Sequence, residues 1–343
     1  MARGWARLLE AGRRERAALA AAGRDPRATQ RALLGGILRR NAGSAFGLAH
    51  GFGDIVGIED YRARVPIRDY DGFAPWIDRI TKGEIHALTA DAPLVFEQTG
   101  GSGGGRKLIP YTRPLLESFR GPVLAWIADL VEHDPEIAEG LAYFAISPAT
   151  RAPRQMAGGL PVGLASDAAY FGEALAGDAA SIMLGAAALS NGADFADWRQ
   201  RTLTWLAATP DLTLISIWSP TFLTTLLDAL EGQPEPVLRA LHDGDFGLPA
   251  MPMRAALLHD CLLDGWLETA RLWPQLRMIS AWADAGSARF AGHLRDRFPG
   301  VAFQPKGLLA TEGVFTLPFV GLQYPLPVLT SCFLEFEGKD GEI

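Results

Sequence analysis

Cysteine is nearly absent: the 343 residues contain two, Cys261 and Cys332. Two thiols cannot build a disulfide framework, and neither stands in a CxxC pair or beside a histidine at metal-ligand spacing, so a reducing, cytoplasmic setting is expected. Long apolar runs are missing too. The most apolar stretch, residues 174–190, is broken by Asp178 and falls short of the run of about 20 apolar residues that a bilayer demands. The N-terminus lacks the apolar centre of a secretory signal, and no membrane partner is expected. Basic residues are not in excess: 32 Lys and Arg face 39 Asp and Glu, a net charge of -7, which argues against a protein that holds polyanions and excludes nucleic acid as a partner. What is present is globular: 48% hydrophobic residues, 21% charged, 9 Trp and 17 Phe, far from the composition of disorder. The length allows about two domains or one large α/β unit with a substantial core.

Residues 5–42 are rich in Ala, Leu and Arg, with Leu33, Leu34, Ile37 and Leu38 at helical spacing. They read as a helical lead-in over residues 1–45, ahead of a core over 46–343, and the arginines (Arg13, Arg14, Arg16, Arg39, Arg40) read as a solvated face. From Phe52 to Leu88 proline, glycine and aspartate break every period, which predicts irregular structure. Ala92 to Gln98 predicts a short strand, followed by the glycine-richest stretch of the chain, TGGSGGGRK, and by LIPYT, where Pro110 favours extended backbone. Thr112 then caps a helix bearing Leu116, Phe119, Val123, Ile127 and Leu130, which Pro122 is expected to kink or split. LAYFAI at 141–146 predicts a further strand, and two helices are expected between Gly158 and Ala208. The second half alternates more clearly. Strands are predicted at Leu212–Trp218, Leu276–Ala283 and from Val301, with helices after Ser219 and Ser287. This is the pattern of an α/β fold with a predominantly parallel sheet. Ligands of such sheets sit at the carboxyl ends of the strands, here Ala283 to Ser287 and the segment around Thr311 and Glu312.

Three mechanisms could use residues 99–107. In a phosphate loop, glycines bring backbone N–H groups close to the anion, Thr99 and Ser102 add hydroxyl donors and Lys107 adds a cation. The segment is not the GxxxxGK[ST] nucleotide loop, because Lys107 is followed by Leu108 and no helix opens there. A serine nucleophile is the second mechanism: Gly100 to Gly104 satisfy GxSxG, but that motif needs a strand-to-helix turn, which Pro110 opposes, and a late catalytic histidine, whereas His293 lies on a predicted helix. A merely flexible hairpin tip is the third, at an entropic cost a simple turn would not need.

TGGSGGGRKLIPYT resembles the first motif of adenylate-forming enzymes, TSGTTGxPK, and more closely its version in the auxin-responsive (Gretchen Hagen) family of acyl-acid amido synthetases. Three other stretches resemble that family in order: GLAHGF with RVPIRDYDGFAPWIDRITKGE, WPQLRMISAWADAG, and LLATEGVFTLPF, so the likeness runs from residue 47 to about 319. It implies the large N-terminal domain of an adenylate-forming enzyme, mixed sheets flanked by helices, and a reaction with ATP and Mg²⁺. A carboxylic acid would be activated as an acyl-adenylate and then passed to an amine or amino acid to form an amide. Carried over by position, Thr99, Gly101, Ser102, Gly103, Gly104 and Lys107 would cradle the ATP phosphates. Ala283, Asp284, Ala285 and Gly286 would face the adenine, and Thr311 with Glu312 would form the second motif, Glu312 holding Mg²⁺ and acting with Lys107 in catalysis.

The sequence departs from the family pattern at Leu308 and Leu309, where the second motif carries an aromatic residue and a glycine, and in lacking a third motif and a small C-terminal lid after FLEFEGKDGEI. An impaired, truncated enzyme is the expectation. The acyl pocket is expected between the helix from Arg113 and the strand-helix pair over 212–230, with Phe119, Val123, Trp218, Phe222 and Leu226 as candidate walls. An acyl-CoA thioester ligase would share the adenylation half, and a catalytically degenerate binding protein is the third possibility.

Overall fold

The computed structural model describes residues 2–99, 107–145, 154–186, 188–189, 194–262 and 265–339. Two long helices open the chain, α1 (Arg3–Ala22) and α2 (Pro26–Asn41). Asp25 starts α2 by accepting the Ala28 N–H at 3.0 Å, with Pro26 at a position where a missing N–H costs nothing. α1 is part of the interior. Trp5 is fully buried and its Nε1 donates to the Gly140 carbonyl at 2.8 Å, while the polar side pairs Arg13 and Arg16 with Glu132 and Arg14 with Glu10.

After α3 (Ala45–Ala49), where the sequence predicts irregular structure, the chain forms α4 (Ile58–Arg64) and α5 (Tyr70–Thr81). Pro75 lies inside α5, and the helix survives because Asp69 caps it through the Gly72 N–H at 3.1 Å and Ile77 and Ile80 are buried. Next come β1 (Pro93–Gln98) and β2 (Leu108–Thr112), antiparallel, with Gln98 opposite Leu108. Thr112 accepts the Leu115 N–H and begins α6 (Arg113–His133), which continues past the buried Pro122 without being split. β3 (Leu141–Phe144) follows. β4 (Arg154–Gln155) and β5 (Pro161–Val162) complete a first sheet, ordered β2-β1-β5-β4.

After α7 (Ala176–Ile182) and α8 (Phe195–Ala208), the second half runs β6 (Leu212–Ser216), α9 (Pro220–Gly232), α10 (Glu235–Asp243), α11 (Pro252–Asp260), α12 (Thr269–Leu272), β7 (Met278–Ala281), α13 (Ala288–Arg297) and β8 (Ala302–Pro305). The second sheet is ordered β3-β6-β7-β8 with every neighbouring pair parallel, as the strand-helix alternation predicts. Its two faces build separate cores. Leu212, Ile215, Ile217, Ile279 and Ala281 point toward α8, α9 and α13, whereas Ala142, Phe144, Leu214 and Met278 point toward α1, α6 and α7. Both faces being covered, β6 is buried at all five positions. Two short hairpins follow, β9 (Leu309–Ala310) with β10 (Gly313–Val314), and β11 (Thr316–Leu317) with β12 (Leu326–Pro327). Among the described residues no helix is long and apolar enough to cross a membrane.

Candidate functional site

The glycine segment leaves β1 and returns on β2, and its neck is closed by the Thr99 N–H donating to the Lys107 carbonyl at 3.0 Å. Gly101, Ser102, Gly103 and Gly104 lie outside the described residues. Lys107 is exposed, with its Nζ 5.2 Å from the centre of the Tyr70 ring. Tyr70 fixes this foot of the hairpin: its hydroxyl accepts the Leu108 N–H at 2.9 Å and lies 3.3 Å from the Leu108 carbonyl. Tyr70 belongs to the RDYDGF stretch, so the first residue of α5 positions the end of the glycine segment.

Thr311 and Glu312 form the two-residue turn between β9 and β10. Glu312 is exposed and makes no ion pair among the described residues. The Tyr111 hydroxyl donates to the Thr311 carbonyl at 2.5 Å. This bond joins the strand that carries the chain away from the glycine segment to the turn that carries Glu312, across 200 positions of sequence. Leu308 is 63% exposed, so the position where an aromatic residue would meet adenine presents an aliphatic side chain at the surface.

Ala283 to Gly286 follow the carboxyl end of β7, with Asp284, Ala285 and Gly286 exposed and Ala283 half-buried. Ala285 holds a φ of 47°, a left-handed conformation that costs an alanine free energy and concentrates at ligand-binding turns. The turn is tied to its neighbours: the Trp282 N–H donates to the Trp218 carbonyl at 2.9 Å, and the Lys306 N–H to the Ala281 carbonyl at 3.0 Å. The Trp218 and Trp282 rings lie 5.4 Å apart.

At these strand ends, beneath α6, lies a cavity of about 50 Å³ that is partly open to solvent. Phe119, Val123 and Trp218 are among its walls, together with Trp126, Phe144 and Leu309. Phe222 and Leu226 are not. They pack against the core on the opposite face of the parallel sheet, Phe222 beside Trp198 at 5.7 Å between ring centres, because a right-handed crossover from β6 to β7 carries α9 to the side away from α6.

Sequence reasoning missed Lys306, Ser216, Ser280 and Tyr111. Lys306 leaves the end of β8 and its Nζ lies 2.8 Å from the Ser216 Oγ inside the cavity. Part of the residue still meets solvent, yet burial pushes its ammonium down to about 7, since no carboxylate lies near enough to compensate the lost hydration. The one sequence signal is a lysine between Pro305 and Gly307 directly before the apolar LLA segment. Gly307 has no room for a side chain: a Cβ there would fall 2.2 Å from the Thr316 carbonyl oxygen, which presses the Lys306 segment against β11.

The fold, a parallel sheet next to a smaller mixed one, is shared with known proteins. The model of the GH3 family N-terminal domain matches residues 16–303, and the chain belongs to that family. The indole-3-acetic acid-amido synthetase GH3.8 of Oryza sativa subsp. indica is 31% identical over 134 residues, 37% of this chain and 22% of that protein. The indole-3-acetic acid-amido synthetase GH3.5 of Arabidopsis thaliana is 29% identical over 140 residues, 38% of this chain and 22% of that one. Among solved structures, the GH3.15 acyl acid amido synthetase superposes with a TM-score of 0.72 at 18% identity, covering 89% of this chain and 57% of the other. The same enzyme in complex with 2,4-DB gives 0.73 at 20% identity. The fold is therefore the mixed α/β architecture of the N-terminal region of these synthetases, and the chain spans little more than half the length of the solved ones.

Proposed function

We propose that this chain is the adenylation unit of an acyl-acid amido synthetase, which activates a carboxylic acid with ATP and passes the acyl group to the amine of an amino acid. The observation that carries the reading is the Tyr111–Thr311 hydrogen bond, which ties the strand returning from the glycine segment to the turn that carries Glu312, with an apolar cavity reaching away beneath α6. Thr99 and Lys107, with Gly101 to Gly104 between them, would hold the phosphates, and Ala283 to Gly286 would offer backbone to the base. The adenylation step joins two anions, so donors aimed at the phosphate and a nearby cation dominate the expected catalysis.

The residues present fit Mg²⁺ that arrives with the nucleotide. Among the described residues no group of three acidic, histidine or cysteine side chains is placed to hold a bare ion, whereas one exposed carboxylate, Glu312, suits a cation whose other ligands are phosphate oxygens and water. When bound, that cation supplies charge neutralisation at the phosphates. The chain's own residues do the rest: the cavity sequesters the acid from water, and Lys107 presents positive charge at the hairpin neck. Cinnamate-like and indole-like acids are suitable probes for an ATP–pyrophosphate exchange assay on the full-length gene product. Exchange with at least one acid, falling about 100-fold in Glu312→Gln, is the expected result; no exchange with any acid would remove the adenylation reading. Adding an amino acid panel or coenzyme A then separates amide from thioester formation.

A further inference from the structure

At one end of the cavity three polar groups meet without an acid to balance them. Ser216 and Ser280 are paired positions on β6 and β7, both buried on the face toward α6. Lys306 folds back so that its Nζ donates to Ser216 Oγ at 2.8 Å. Trp126 covers the amine, with 5.0 Å from Nζ to the ring centre, and is itself held by donating from Nε1 to Gln304 Oε1 at 2.6 Å. The Ser280 Oγ lines the cavity, and it is buried with no hydrogen-bond partner among the described residues. Buried hydroxyls without partners are rare, and one facing a cavity is a place where a ligand oxygen gains a bond at no competing cost. The remaining walls are aliphatic or aromatic.

The position of this cluster along the cavity decides what it meets. Phe119 lies toward the Glu312 turn, linked to Tyr111 through Tyr170, with ring centres 6.2 and 6.3 Å apart. Trp126 lies two helical turns further along α6, about 10 Å away. Lys306 and the serines, beneath Trp126, therefore lie about 10 Å along α6 from the Phe119 end of the cavity. We propose that Lys306, Ser280 and Ser216 form a specificity subsite for the far end of the acid, taking a phenolic hydroxyl on an aromatic carboxylic acid. The proposal rests on the cavity being the acyl site. Aromatic walls from Phe119, Trp126, Phe144 and Trp218 suit a planar ring. A lysine that is partly neutral near pH 7 accepts the phenolic proton in a hydrogen bond, while the phenol oxygen accepts from the Ser280 hydroxyl.

Calorimetric titration of the chain with 3-(4-hydroxyphenyl)propionate and with 3-phenylpropionate tests this directly. The wild type is expected to bind the hydroxylated acid about tenfold more tightly. Lys306→Met and Ser280→Ala should each bring the ratio of the two affinities close to one; general damage would weaken both acids and leave the ratio in place. Equal wild-type affinities, no binding of either acid, or a ratio unchanged in the folded variants would overturn the subsite. Val123→Trp fills the cavity and should abolish binding of both acids. Should both bind that variant as they bind the wild type, the acyl-site reading itself fails; should the variant block binding while the wild-type ratio is one, the subsite alone fails.

Discussion

Lys306 and Glu312 are six positions apart and face opposite environments. Glu312 stands out in the sequence because it follows Thr311 between the apolar segments LLA and VFTLPF. Lys306 does not, because a single lysine in a sequence most often reads as solvated surface, and only the packing of α6 over the strand ends desolvates it. Its stability effect has a defined sign. The unfolded chain keeps the lysine proton up to the ordinary value of 10.5, the folded one releases it at about 7, so between these values the unfolded state binds more protons and stability rises with pH. The penalty is present in full below about pH 7 and gone above about 10.5. Lys306→Met should therefore melt higher than the wild type at neutral pH, by on the order of 3 kcal/mol, with the gain shrinking to nothing as the buffer is raised toward the upper value. Thermal melts across a pH series check this. Glu312→Gln, at an exposed turn, should leave stability in a denaturant titration within about 0.5 kcal/mol while cutting exchange activity about 100-fold.

At the scale of elements, the strand-helix alternation of the second half could be read from apolar periods and capping residues, and the parallel sheet follows it. Two features could not. Pro75 and Pro122 each forfeit a helical hydrogen bond, a local signal for breakage, yet α5 and α6 continue because their apolar faces are held by tertiary contact. Phe222 and Leu226 lie away from the cavity for a related reason: composition marks a helix as amphipathic without saying which face of the sheet it covers. The contact of α1 with α6 is another purely tertiary feature. A Cβ on Gly12 would lie 2.1 Å from the Leu124 carbonyl oxygen, so Gly12→Val forces the two helices apart and should cost about 1–3 kcal/mol in a denaturant titration. Tyr111→Phe removes the hydroxyl that holds the Thr311 carbonyl. It should cost about 1 kcal/mol of stability and raise the KM for ATP in the exchange assay more than it lowers kcat.

For the molecule as a whole, the two cores explain why the first helix cannot be spared. Trp5 and Leu8 are fully buried against α6 and the sheet, so Trp5→Ala should lose about 3–5 kcal/mol, measurable as a lower denaturation midpoint. The tryptophans at the strand ends have a use beyond packing. Trp218 lines the cavity and stands 5.4 Å from Trp282, with the rings inclined at 50°. Two indoles this close couple their electronic transitions, so the protein carries its own optical gauge: an exciton couplet in circular dichroism whose sign and amplitude follow the angle between the rings. Anything that enters beneath α6 or settles on the turn after β7 will register there without a label.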